Sequence, residues 1–122
     1  MKKSDELTRA ELQVMNILWD IRKGTVAKVL EKYPNPKPAY NTVLTFLRIL
    51  KEKGFVSSEP IGKQHCFRPM IQRGEYTRNY MRSVKDSLFR GSAADFVSFF
   101  VKEENLSAKE IEELIALLKE NS

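Results

Sequence analysis

The stretch YNTVLTFLRILKEKGFV, residues 40–56, predicts a helix with two chemically different sides. At about 100° per residue, one wide sector is apolar, and we expect it to face a core: Val43, Phe46, Leu47 and Leu50. The opposite sector carries hydrogen-bonding and charged groups: Asn41, Thr45, Arg48 and Glu52. Gly54 is a natural residue to follow the end of the helix, which we expect to run from about Pro38 or Ala39 to Lys53.

Two helices are predicted before this stretch. The motif LTRAEL places Thr8 and Glu11 in a capping box, and apolar residues then recur at helical spacing to about Ile21. Thr25 can cap a short second helix, and the proline-rich segment YPNPKP ends it and forms a stiff connector.

A hairpin is predicted after this stretch. FVSSEP and HCFRP have the composition of two short strands around IGKQ, where Gly62 supplies the turn. The order helix, helix, helix, hairpin is that of a winged helix-turn-helix, with the third helix as the recognition helix. The predicted fold class is therefore mainly α with a small β-hairpin wing: a winged-helix domain over residues 1–70 and a C-terminal three-helix region over residues 71–122.

The C-terminal region has more apolar side chains than it can bury alone. Three helices in about 50 residues supply little material for an independent core, and a symmetric partner is the commonest way to cover such a surface. We therefore expect a dimerisation region, although the helices folding back on the first domain is the alternative. The candidate dimer residues are Tyr80, Val84, Leu88, Phe96, Phe99, Phe100, Leu114 and Leu118.

Charge is distributed unevenly along the chain. Residues 1–90 contain 18 Lys and Arg against 9 Asp and Glu, whereas residues 91–122 contain 3 against 7. A basic body of this kind favours contact with a polyanion. No apolar run approaches the roughly 20 residues of a membrane span, and the start lacks the apolar segment of a secretory signal, so we expect a cytoplasmic protein.

The outward face of the third helix suits a DNA major groove. Asn pairs with adenine, Arg with guanine, and a Thr methyl contacts thymine. Lysines around the helix are candidate phosphate contacts, which set register without reading sequence: Lys28, Lys37, Lys51, Lys53 and Lys63. The alternative is a winged-helix module whose polar face contacts another protein and does not bind DNA sequence-specifically.

No catalytic or metal-binding constellation is evident in the sequence. Cys66 and His65 are neighbours on a predicted strand, so their side chains would point to opposite faces, and one thiol cannot form a disulfide within the chain. We find no Gly-rich phosphate loop, paired-carboxylate site or metal-ligand spacing, and we expect no enzyme and no cofactor.

Several motifs resemble the penicillinase and methicillin-resistance repressor family. These are LTRAELQVMNILWD, YNTVLTFLRILKEKGFV, FRPMI and VKEENLSAKEIEELIALL, so the resemblance covers nearly the whole chain. It implies a homodimeric winged-helix repressor that binds a palindromic DNA operator and controls beta-lactamase genes or another antibiotic- or stress-response gene. Carried onto this sequence, the recognition helix presents Tyr40, Asn41, Thr42, Thr45 and Arg48 to DNA.

The resemblance also implies two modes of regulation found in the family. In antibiotic-responsive members a membrane-bound sensor metalloprotease signals the drug, and the repressor is cut at a bond that corresponds here to Phe99–Phe100. Members cut in this way carry Asn before the Phe, where this chain has Phe99. A copper-sensing branch uses a C-terminal cysteine cluster, which the tail LIALLKENS lacks, so we expect no metal sensing.

Overall fold

The computed structural model describes residues 6–120, which form six helices and one three-stranded antiparallel sheet. Their bounds in chain order are α1 (Arg9–Ile21), β1 (Gly24–Thr25), α2 (Val26–Glu31), α3 (Tyr40–Glu52), β2 (Val56–Ile61), β3 (Gln64–Pro69), α4 (Arg73–Leu88), α5 (Ala93–Glu103) and α6 (Ala108–Glu120). The predicted fold class, mainly α with a hairpin wing, is confirmed.

Side-chain caps place the starts of the first two helices. The Glu11 amide donates to the Thr8 hydroxyl over 3.2 Å, and the Thr8 amide donates to the Glu11 carboxylate over 2.9 Å. This is the predicted capping box, and it satisfies two amides that the first turn of α1 leaves unpaired. Thr25 caps α2 as predicted, by accepting a hydrogen bond from the Lys28 amide at 3.3 Å.

The sheet has the order β1-β3-β2, so the predicted hairpin is joined by one further strand. The additional strand, β1, pairs Gly24 with Phe67 and Thr25 with Cys66. Gly62 has a φ of +62°, as the first position of a tight two-residue hairpin turn requires. Pro60 is tolerated within β2 because that strand forms an edge of the sheet.

The core of the N-terminal half is built on the inner face of α3. Val43, Leu47 and Leu50 are fully buried, together with residues of α1 and α2: Val14, Met15, Leu18 and Val29. Phe46, predicted to be core, is only partly buried because it lies at the margin of this face. The helix begins and ends within one or two residues of the prediction, and Gly54 follows it with a φ of +86°.

The chain folds into two compact units, Met1–Arg78 and Asn79–Ser122. The start of α4 belongs to the first unit, where Tyr76 is buried and its hydroxyl accepts a hydrogen bond from the Leu7 amide at 3.1 Å. The predicted domain boundaries, 1–70 and 71–122, stay a prediction, and their outer ends at residues 1–5 and 121–122 lie outside the described residues.

In the second unit, α5 and α6 contain no buried residue. The interactions inside the unit include an aromatic cluster in which Phe89 lies 5.2 Å from Phe96 and 5.5 Å from Phe99, measured between ring centroids. Among residues 6–120 no helix has the length and apolar character required to cross a membrane.

Candidate nucleic-acid interface

The outward face of α3 is open to solvent along its length. Five side chains predicted to contact DNA are exposed: Tyr40, Asn41, Thr42, Thr45 and Arg48. The Thr45 hydroxyl donates to the Asn41 carbonyl at 2.9 Å, which fixes the rotamer and leaves the methyl group directed away from that bond. Ala39 precedes the helix and makes no side-chain cap, so the first-turn amides of α3 are available to an anion.

A cleft of about 310 Å³ separates α3 from the hairpin. Tyr40, Leu44 and Arg48 line it from the helix because they are four residues apart and share one side. The hairpin contributes polar and basic groups to the other wall: Ser58, Lys63, Gln64 and His65. The Lys51 ammonium donates to the Ser58 hydroxyl at 2.8 Å and so connects the helix to the wing.

The structure separates the five candidate phosphate lysines into different roles. Lys28, Lys51 and Lys63 are exposed. The Lys37 ammonium donates to the carbonyls of Leu30, Glu31 and Tyr33 at 3.3, 2.8 and 2.7 Å, which caps the end of α2 and uses its three donors. This geometry favours a structural role for Lys37.

The structure favours a structural role for Lys53 over the predicted phosphate contact. Its ammonium lies 2.8 Å from the Glu11 carboxylate, whose side chain is 6% exposed, and it is therefore directed into the domain. Burial alone would raise the pKa of Glu11, but the Lys53 ammonium and the hydrogen bonds from Thr8 more than offset it and hold that pKa below its ordinary value. The charged pair joins the start of α1 to the end of α3.

Three polar residues that line the cleft were missing from the predicted site: Ser58, Gln64 and His65. The sequence places them on a hairpin, but their position opposite Arg48 depends on how the hairpin packs. The signal that could have found His65 is strand alternation, since it places His65 and Phe67 on the face of the strand opposite to Cys66. His65 is exposed and Cys66 is buried, as expected of neighbours whose side chains face apart. Within residues 6–120 no three His, Cys, Asp or Glu side chains form a group that could hold a metal.

The candidate dimer residues lie on α4, α5 and α6 with different degrees of exposure. Tyr80, Val84, Phe96 and Leu114 are partly buried, whereas Leu88, Phe99, Phe100 and Leu118 are exposed. Further large apolar side chains of this unit are exposed and were absent from the predicted set: Met81, Val97, Ile115 and Leu117. Nothing in their local sequence pattern distinguishes them from helix residues covered within the same chain.

Three helices followed by a hairpin, with a polar helix face beside a basic cleft, define a winged-helix protein of the helix-turn-helix type. The chain belongs to the penicillinase repressor family, whose family profile matches residues 7–120. The resemblance stated from the motifs is thereby confirmed.

Individual relatives agree with this assignment. The chain is 30% identical over 124 residues to the penicillinase repressor of Bacillus licheniformis, covering 99% of this chain and 95% of that protein. It is 26% identical over 117 residues to the methicillin resistance regulatory protein MecI of Staphylococcus aureus, covering 95% of each. The solution structure of the DNA binding domain of the repressor BlaI superposes with a TM-score of 0.53 at 26% identity, over 62% of this chain and 94% of that one.

Proposed function

We propose that this chain is a DNA-binding transcriptional repressor that acts as a homodimer on a palindromic operator and controls an antibiotic-response or similar stress gene. The observation that carries the proposal is the exposed polar face of α3, held beside the hairpin across a cleft lined by Arg48, Lys63 and His65. Membership of a repressor family agrees with this function.

In this proposal α3 enters the major groove and reads base edges. Asn41 and Arg48 are the bidentate groups, Thr45 offers its methyl, and Tyr40 and Thr42 flank them at the helix start. Lys51 and Lys63 contact phosphates from the helix end and the wing, which sets the register of the helix in the groove. Lys37 supports the site by capping α2.

Dimerisation is inferred from the uncovered apolar surface of the second unit. Four of its large side chains are between half and three-quarters exposed: Leu88, Phe99, Phe100 and Leu118. Burying one side chain of this size fully stabilises a protein by about 1.5–3 kcal/mol. A second copy offers the same surface and covers both at once. Two recognition helices on one molecule would then engage two half-sites, and the combined affinity greatly exceeds that of one.

The resemblance extends the proposal to a membrane-bound sensor metalloprotease as upstream partner. It would cut the Phe99–Phe100 bond, which lies inside α5, so the helix must unwind locally before a protease can bind it in an extended form. Mass spectrometry of the chain after co-expression with such a protease should show two fragments that meet at this bond. An intact chain would remove the protease from the proposal and leave the repressor function standing.

The direct experiment is fluorescence anisotropy with duplex DNA from upstream of the protein's own gene. We expect specific binding whose affinity falls steeply as salt rises, because phosphate contacts release counterions. A duplex of scrambled sequence and equal length is the control. Equal affinity for the two duplexes would instead favour a winged-helix module that contacts another protein.

A further inference from the structure

A second open cavity, of about 850 Å³, lies in the first unit away from the α3 cleft. Phe67 lines the α3 cleft and Arg68 lines this cavity, and neighbouring residues of a strand project to opposite faces of a sheet. The two cavities share no lining residue among those described.

Five cationic side chains line the cavity: Arg22, Lys23, Lys28, Arg68 and Arg73. None of its described lining residues is acidic. Arg68 and Arg73 each have one carboxylate partner, Glu59 at 3.0 Å and Asp20 at 2.8 Å. Arg22, Lys23 and Lys28 form no ion pair with any residue from 6 to 120, so positive charge in the cavity is largely uncompensated, and a cleft of one sign concentrates counterions.

Contacts within the domain hold the Arg73 guanidinium in place, and the stem of Lys28 is packed near its start. The Arg73 guanidinium lies 5.4 Å from the Trp19 ring and donates to the Asn16 carbonyl at 3.2 Å. The Lys28 stem lies against Gly24, where an added Cβ would be 3.3 Å from the Lys28 Cβ and 2.9 Å from the Ile21 Cδ1. Pre-ordered side chains lose less conformational entropy when they bind an anion.

The start of α4 adds a further attraction for negative charge. Arg73 and Gly74, the first two residues of this 16-residue helix, line the cavity, and the positive end of the helix dipole lies there. Guanidinium forks match the paired oxygens of an oxyanion, and more than one is present.

We propose that this cavity binds a small, compact oxyanion with two or more negative charges, of the phosphorylated type, and that it forms a ligand site separate from the DNA-reading face. Its volume falls in the range of small-molecule sites, about 300–1,000 Å³. The cation cluster and the cavity carry this proposal independently of the repressor function.

The test uses Trp19, which is the only tryptophan of the chain and lines the cavity. Inorganic pyrophosphate is titrated into the full chain at constant ionic strength while tryptophan fluorescence is recorded. We expect a saturable change with a Kd below about 1 mM, and none with sodium chloride of equal ionic strength. The double variant Arg22→Gln, Lys23→Gln should bind at least about tenfold more weakly, because two charge-assisted contacts are lost.

Lys63→Gln is the control for position, since it removes a positive charge from the other cleft. It should leave pyrophosphate affinity unchanged, with equal melting temperatures showing that all variants are folded. Absence of saturable binding, or equal weakening by Lys63→Gln, would overturn the site. Tighter binding of malonate than of pyrophosphate would overturn the assignment of the ligand to the phosphorylated type. Loss of operator affinity in the double variant, with pyrophosphate competing against DNA, would reassign these cations to the duplex and overturn a separate ligand site.

Discussion

At the scale of single residues, exposed side chains of the same charge are expected to act differently on DNA. Arg48 lies on the side of α3 that faces the cleft, whereas Lys63 is at the tip of the wing. A guanidinium reads a base edge through a fork of donors, but an ammonium at a hairpin tip neutralises phosphate charge.

Arg48→Ala should relax base preference at one position of each half-site and cost about 1–3 kcal/mol there. Lys63→Ala should weaken binding to every sequence alike. It should also reduce, by about 1, the slope with which the logarithm of the affinity falls against the logarithm of the salt concentration. Anisotropy titrations against the operator and single-base variants, at several salt concentrations, separate the two. Identical behaviour of both variants would show that the division into reading and anchoring residues is wrong.

The charge of Glu11 is coupled to folding through Lys53. Its pKa is lowered in the folded protein from an ordinary value of 4.5, so its stabilising contribution is present above pH 4.5 and is lost as pH falls through the lower folded value. Glu11→Gln retains a side chain that can complete the capping box but removes the charge that faces Lys53. We expect the free energy of unfolding to fall by about 1–2 kcal/mol at neutral pH. When the pH is then lowered, the variant should lose less further stability than the unmodified protein.

The chain contains a matched control for this prediction. Ser107 and Glu110 form a second capping box at α6, where both hydrogen bonds measure 3.1 Å and the residues are exposed. Glu110→Gln makes the same chemical change without a lysine partner among the described contacts and should cost less than about 0.5 kcal/mol. Urea unfolding at pH 7 and at acidic pH measures the free energy of unfolding of both variants. Equal losses in Glu11→Gln and Glu110→Gln would contradict a special role for the Glu11–Lys53 pair.

At the scale of elements, the position of α3 depends on short segments that pack around it. The six-residue helix α2 is too short to be stable alone, and its carbonyl end is capped by Lys37 from the proline-rich connector. This lysine therefore links the end of α2 to the segment that leads into the recognition helix.

Lys37→Met keeps the aliphatic stem and removes the three hydrogen bonds to carbonyl groups. We expect a loss of about 1 kcal/mol in the free energy of unfolding, since the groups are mostly exposed. Lys32→Met, at the C-cap position of α2, is the control, since it removes an exposed ammonium that has no hydrogen bond within residues 6–120. Thermal unfolding compares the two variants. An unchanged stability of Lys37→Met would contradict the structural role and favour Lys37 as a phosphate contact.

At the scale of the whole molecule, the two units have different relations to solvent. The first unit buries its apolar residues around α3, whereas the helices α5 and α6 of the second bury none. An exposed apolar surface of this extent on a small helical unit marks an interaction surface.

Phe99→Asp should shift the protein from dimer to monomer in analytical ultracentrifugation, because a carboxylate would have to be desolvated in the interface. Phe99 also contacts Phe89 within the chain, so Leu118→Asp, with 66% of the side chain exposed, provides a second variant outside that cluster. Ser98→Asp adds the same charge on the polar side of α5 and should leave the dimer intact. A stable dimer in both test variants would exclude these helices as its interface.

The sequence alone determined the helices, their caps, the hairpin and the polar face of α3, because each is set by residues three or four apart or by strand alternation. It also determined the family, since the motifs extend along nearly the whole chain. Only the tertiary structure decided the pairing of Lys53 with Glu11 and the two-residue strand β1. Only it placed His65 and Arg48 on one cleft and five cations around one cavity. Glu11 and Lys53 are 42 residues apart, and β1 is too short to show a period. Such pairings depend on how elements pack in three dimensions, which no local pattern of residues encodes.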